Sequence, residues 1–243
     1  IWGSFSNVCI HRMPYNISVV KGRSYCPSCN KQIKWFDNIP LLSFIFLKAK
    51  CRYCSAQIDL NYFLVELICA LNFVLIFYLF GFSLTTILFF ILSISFIIII
   101  FIDMKHFIIP NELTFTLMII GFLKSFDPYL NQYLFPNYLN SLIGGVIGYS
   151  IIWFIIFAYK KLRNKDGMGL GDAKLLSAIG FWFGWISIPF ILFFSSFVAL
   201  IFAVPGLLNK SKNMSSQIPF GPYIILGCVL YLLLLEQIIK YLN

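Results

Sequence analysis

From residue 60 onward, apolar stretches close to the ~20 residues a helix needs to cross a bilayer alternate with short polar breaks. In hydrocarbon the backbone must satisfy its own hydrogen bonds, so such stretches fold as helices. Spans are expected at 60–80, 84–102, 113–126, 138–159, 174–187, 189–208 and 219–241. Composition agrees. Hydrophobic residues make up 60% of the chain and charged residues 11%, against ~25% charged in a soluble domain. The expected fold is an all-α polytopic membrane protein. The first residues, IWGSFSNVCIHRMP, resemble the end of a hydrophobic element, so 1–11 is taken as the close of a further span, an eighth. No cleavable signal peptide is visible there.

A net charge of +9 would suit nucleic acid if it were spread over a surface, but it is not. Lys and Arg gather in the block 12–59 and in the breaks at 103–112, 160–173 and 209–218. The breaks at 81–83, 127–137 and 187–188 carry none. This is the positive-inside pattern, with attraction to anionic lipid headgroups. It puts the first set of breaks in the cytoplasm and argues for a lipid bilayer as partner and against nucleic acid.

The block 12–59 holds Cys26-x2-Cys29 and Cys51-x2-Cys54. Two CxxC knuckles at this separation can bring four thiolates to one tetrahedral zinc ion. A cytoplasmic location argues against stable disulfides. Four protein ligands leave no open coordination position, so the zinc is expected to be structural. The domains expected are therefore 1–11, a zinc-binding domain 12–59, and a membrane domain 60–243. Cys9, Cys69 and Cys228 lie in apolar surroundings and read as small core hydrophobes.

Ionisable groups inside a membrane are costly and rarely idle. Asp103 closes the run SISFIIIIFID, and Asp172 sits in GMGLGDAKLL, just before the span that starts at Lys174. Both fall at the cytoplasmic boundary. Gly167, Gly169 and Gly171 surround Asp172 with positions lacking side chains, which permits close approach and unusual backbone angles. Two carboxyls meeting in a partly dry site share a proton, so one can act as base while the other acts as acid. That is the chemistry of aspartyl peptide hydrolysis. No Ser/His/Asp set competes, because His11 and His106 both have basic neighbours. Lys165 and Lys174 are expected to anchor the loop inside, with Lys174 near enough to bias Asp172. IPFGPY, 218–223, reads either as an unwound start of the last span that borders the substrate groove or, equally, as a simple Pro-marked helix start. Gly144, Gly145 and Gly148 form a small-residue face for helix packing. Glu66 has no explanation in the sequence.

The stretches GSFSNVCIHRMP, the paired CxxC block, WFDNIPLLS, NYFLVELICAL, IDMKHFIIPNELT, GMGLGDAKLL and IPFGPY, in that order, resemble the type IV prepilin peptidases. The resemblance implies an enzyme of the bacterial inner membrane. Its substrate would be a prepilin or pseudopilin, whose short basic leader is cut off after a glycine on the cytoplasmic side. Many members then N-methylate the new amino terminus with S-adenosylmethionine. It also implies that Asp103 and Asp172 are the catalytic aspartates and that Cys26, Cys29, Cys51 and Cys54 are the zinc ligands. Gly169, Gly171 and Lys174 would complete the active-site loop. One departure stands out. In the family, a glycine followed by Lys or Arg often precedes the third cysteine and is linked to methyl transfer, whereas here the pair is Ala49-Lys50. The alternative reading is a transporter or channel with the two carboxylates as an ion site. It gives the cysteine block no role and would place the carboxylates nearer mid-bilayer.

Overall fold

The computed structural model describes residues 2–130, 135–163, 168–208 and 218–242, with the side chains of 204–208 and 235–242 left out. Among the described residues the chain is helical and has no strand, only two isolated bridges. The longer helices are α1 (Trp2–Arg12), α3 (Leu60–Phe80), α4 (Leu84–His106), α5 (Asn111–Leu123), α6 (Tyr138–Arg163), α7 (Leu170–Phe183), α8 (Ser187–Leu208) and α9 (Gly221–Leu242), with the one-turn α2 (Leu42–Phe46) inside the cysteine block. Three of them, α3, α4 and α6, are long and apolar enough to cross a membrane. The apolar parts described for α8 and α9, Ser187–Ala203 and Gly221–Leu234, are shorter.

The expected spans map onto helices with shifted ends. The second expected span ends at 102, but α4 runs on to His106, where Phe107 turns into the left-handed region at φ 57°. The fifth, expected at 174–187, is α7 at 170–183. It starts earlier because Gly169 caps it. It stops earlier because Gly184, at φ 78°, turns the chain and donates its N–H to the Gly180 carbonyl, the usual role of glycine past a helix end. At 1.5 Å per residue α7 is roughly 21 Å long, short of the ~30 Å hydrocarbon core.

Two compact units are present, residues 1–101 and 102–243. In the first, α1 packs on α3 through small residues. A Cβ on Gly3 would lie 2.8 Å from the Glu66 Cα, and the Asn7 amide donates to the Tyr62 carbonyl at 3.0 Å. Glu66 has a local role here: its Oε2 accepts the Leu41 N–H at 2.9 Å. Leu41 has φ 62°, so the carboxylate holds a turn that an L-residue adopts reluctantly. Cys9, Cys69 and Cys228 are buried, each within its own unit.

In the second unit α7 is the core element. Ten of its fourteen residues are buried, among them Leu175, Leu176, Ile179 and Trp182. The α6 glycines make that possible. Gly144 and Gly180 meet backbone to backbone, and a Cβ on Gly148 would lie 2.7 Å from the Leu176 carbonyl oxygen. Two α6–α7 hydrogen bonds follow the same seam, from Ser177 Oγ to the Gly145 carbonyl and from Ser141 Oγ to the Phe181 carbonyl. Lys124, basic and near the end of an expected span, is buried. Its Nζ donates to the Trp182 carbonyl at 2.8 Å and lies 3.7 Å from the Phe135 ring centroid. Trp182 donates its ring N–H to the Leu117 carbonyl, tying α7 to α5.

Candidate active site and metal centre

Asp103 lies in the last turn of α4, and Asp172 lies inside the first turn of α7 instead of ahead of it. Both side chains belong to the second unit, and both residues are buried, 5% and 8% exposed. The two carboxyls are near enough for like-charge repulsion between them. Asp103 is held by a backbone N–H. Gly221, the first residue of α9, donates to Asp103 Oδ2 at 3.0 Å. At Asp172 the backbone makes the bond, its N–H donating to the Gly169 carbonyl at 3.2 Å. Ile109, in the connection from α4 to α5, lies against both Gly171 and Gly221. A Cβ on Gly171 would lie 3.0 Å from Ile109 Cβ, and one on Gly221 would lie 3.1 Å from Ile109 Cδ1.

At Gly169 neither crowding nor backbone angle calls for glycine, since a Cβ there would stand 3.8 Å from Asp172 Oδ2. Gly169 has φ −83° and ψ 147°, a conformation open to any residue. Gly171 is where a side chain would not fit, since Ile109 occupies that volume. Lys174 turns toward α5, where its Nζ donates to Asn111 Oδ1 at 2.7 Å and stands over the Phe115 ring. It anchors α7 to α5. Lys165, Asp166 and Gly167 lie outside the described residues.

Gly221, Ile109 and Asn111 were not singled out by the sequence. The FGP of IPFGPY was the available signal for Gly221, but a backbone donor carries no side-chain signature.

The four cysteines of the first unit converge. Their Sγ atoms all lie within 4.8 Å of one another, and those of Cys26 and Cys54 are 3.8 Å apart. With Zn–S bonds of ~2.3 Å, a tetrahedron has an edge of ~3.8 Å, so the donor set suits zinc. All four are free thiols. The two knuckles repeat one local plan. The N–H groups of Cys26 and Cys51 bond to the carbonyls of Lys31 and Ala56, and Asn30 and Ser55, each four residues after the first cysteine, have φ 55° and 57°. Backbone N–H groups of Cys54 and Tyr53 aim at the Cys51 sulfur and pull its thiol down to about 6. The Cys54 thiol is pushed up to about 11: an Ala56 N–H acts to lower it, but partial burial and the neighbouring thiols outweigh that bond. Arg52 clamps Asp37 of WFDN through two hydrogen bonds, of 2.8 and 2.6 Å.

The fold and these two centres define a helical membrane protein with a paired-carboxyl site in one unit and a four-thiol site in the other. A family model described as Bacterial Peptidase A24 N-terminal domain matches residues 1–80, and one described as Type IV leader peptidase family matches residues 90–204. The chain is 35% identical over 273 residues to the prepilin leader peptidase/N-methyltransferase of Aeromonas salmonicida (strain A449), covering 98% of this chain and 89% of that protein. It is 35% identical over 248 residues to the protein of that name from Vibrio cholerae serotype O1, covering 95% and 91%. The Pseudomonas aeruginosa protein is 32% identical over 264 residues, covering 98% and 88%. No solved structure matches. The chain belongs to the type IV leader peptidase family. Nothing in these comparisons favours a transporter.

Proposed function

We propose that this chain is a membrane aspartyl endopeptidase that removes the leader from type IV prepilins or pseudopilins, with Asp103 and Asp172 as its catalytic residues. The observation that carries the reading is the burial of both carboxyls around one side chain: Gly221, whose N–H holds Asp103, and Gly171, next to Asp172, both lie against Ile109. Two adjacent carboxylates in a poorly solvated site repel, so the pair holds one proton between them. The ionised member takes a proton from water, and the hydroxide formed adds to the scissile carbonyl carbon. The protonated member donates to the carbonyl oxygen. Collapse of the resulting diol breaks the C–N bond: the departing amine collects a proton from one member of the pair, and a diol hydroxyl returns one to the other, restoring the shared proton.

The relatives' name carries a second activity. N-methylation of the released amino terminus is proposed for this chain too, with S-adenosylmethionine as the methyl donor. The four thiols of Cys26, Cys29, Cys51 and Cys54 fit a structural zinc. Seven spans after residue 60, with the basic block 12–59 and both aspartates on the cytoplasmic side of the inner membrane, suit a substrate whose basic leader stays inside. The scissile bond of such a substrate lies at that interface.

The test is leader release from a prepilin peptide by the purified protein in lipid. Wild type is expected to release the leader, and Asp103→Asn and Asp172→Asn each to lose that release. Cleavage persisting in either single variant would refute the diaspartyl mechanism. Methyl transfer is read in parallel from a labelled donor on a pre-cleaved peptide.

A further inference from the structure

The start of α9 contributes one backbone donor to the site, and the local sequence singles it out. In the first turn of a helix the N–H groups have no partner in the ladder. At position 222 the residue is proline, which has no N–H and favours a helix start. The Tyr223 N–H bonds back to the Phe220 carbonyl at 3.0 Å. Of positions 221–223, only Gly221 points its N–H out of the turn, and Asp103 Oδ2 receives it at 3.0 Å. The same residue leaves no spare room. A Cβ at 221 would stand 2.8 Å from Asp103 Oδ2 and 3.1 Å from Ile109 Cδ1. Real Cβ contacts are longer than the first value, so a side chain there would displace the carboxylate.

We propose that Gly221 is a positioning residue of the peptidase site: its N–H orients Asp103, and its missing side chain keeps the acceptor oxygen within reach. The inference rests on the diaspartyl reading above. It makes FGPY an active-site element and not merely the beginning of a span. The N–H dipoles at a helix N-terminus also favour the anionic form of the group they face.

The experiment compares wild type, Asp103→Asn, Gly221→Ala and the double variant Gly221→Ala/Ile109→Ala on a prepilin peptide in lipid, with kcat, KM and the melting midpoint measured separately. Misplacing a reacting group by ~1 Å costs about 100-fold. Gly221→Ala is expected to lower kcat about 100-fold, with KM and the melting midpoint near those of wild type. The double variant is expected to stay slow, because removing the Ile109 contact leaves the clash with Asp103. Cleavage by Gly221→Ala within about threefold of wild type, a loss confined to KM, or rescue by Ile109→Ala would each overturn the inference. A second measurement needs no change at 221. In protein carrying ¹⁵N-glycine, the Gly221 amide resonance is expected to shift on Asp103→Asn, and an unmoved resonance overturns the inference. If Asp103→Asn still cleaves, the peptidase reading falls and this inference with it. If Asp103→Asn is dead and Gly221→Ala cuts normally, the inference alone falls.

Discussion

The cysteine block and the α6–α7 pair reach order by opposite routes. Between residues 12 and 59 a single residue, Cys26, is buried. Its turns are held by backbone bonds, left-handed residues and one ion pair. A segment with so little apolar burial cannot offset its chain entropy alone, and a metal in the four-thiol site would supply the missing free energy. The α6–α7 pair has no such need. Ten of the fourteen α7 residues are buried, and glycines let the two backbones touch. The site that is expected to do chemistry sits on the rigid element, while the four-thiol site substitutes for a core.

The largest expected effect comes from breaking the rigid side. Gly144→Val puts a branched side chain against the Gly180 carbonyl and within 2.6 Å of the Gly184 carbonyl carbon. A loss of more than about 4 kcal/mol is expected, enough to stop folded protein accumulating. Folded yield in detergent checks it, and a normally folded variant would mean the seam is looser than described.

Next comes the metal. A strong chelator, or Cys26→Ser with Cys51→Ser, is expected to open residues 12–59 to proteolysis while the α6–α7 pair stays helical. Limited proteolysis with mass mapping reads this outcome, and loss of both regions together would contradict the division. One zinc per chain, lost in the double variant, is expected by elemental analysis.

A smaller effect of opposite sign is expected at Ala49. It sits at φ 57°, with Lys48 before it at φ 49°, in a region where an L-residue is strained by ~1–2 kcal/mol and glycine is not. Ala49→Gly is therefore expected to stabilise the block by about 1 kcal/mol, read as a higher temperature for proteolytic opening. The conformation also explains why glycine is the residue the resemblance leads one to expect before the third cysteine: backbone geometry alone calls for it.

The smallest effect concerns Asp37 and Arg52. The hydrogen bond from Arg52 holds the Asp37 carboxyl below its ordinary range, with the guanidinium charge adding to it. A depressed carboxyl stabilises above its unfolded value of ~3.9, and the contribution is lost as pH falls through the folded value. Arg52→Ala is expected to lower the block's opening temperature at neutral pH. The gap from wild type should close as the pH drops below about 4. A gap that widens in acid would contradict the assignment.

How much of this the sequence disclosed depends on whether a feature is carried by a side chain or by the backbone. The four cysteines announce themselves by their regular spacing, and Asp103 and Asp172 because carboxyls are rare beside such apolar runs. The small-residue face of α6 was legible for the same reason, and the structure puts those glycines against α7. Gly221 was not legible as a donor, because its partner lies 118 residues away and every residue but proline carries an N–H. Glu66 looked unexplained for the same reason, since its partner is the Leu41 N–H. The partner of Lys124 was not legible either, because a pattern of charges cannot show the Trp182 carbonyl it bonds to. The angles expected around Asp172 were absent at Gly169, and the close approach expected of the glycines falls at Gly171, against Ile109.

The most direct measurement of the paired-carboxyl claim is a double-mutant cycle on leader cleavage, using kcat for wild type, Asp103→Asn, Asp172→Asn and the double variant. If the two groups share one proton across one reacting water, each single change is expected to lose ~10³-fold or more, and the double variant to be no slower than either. Losses that multiply, or a single variant that retains most of its rate, would show two independent carboxyls and contradict the account.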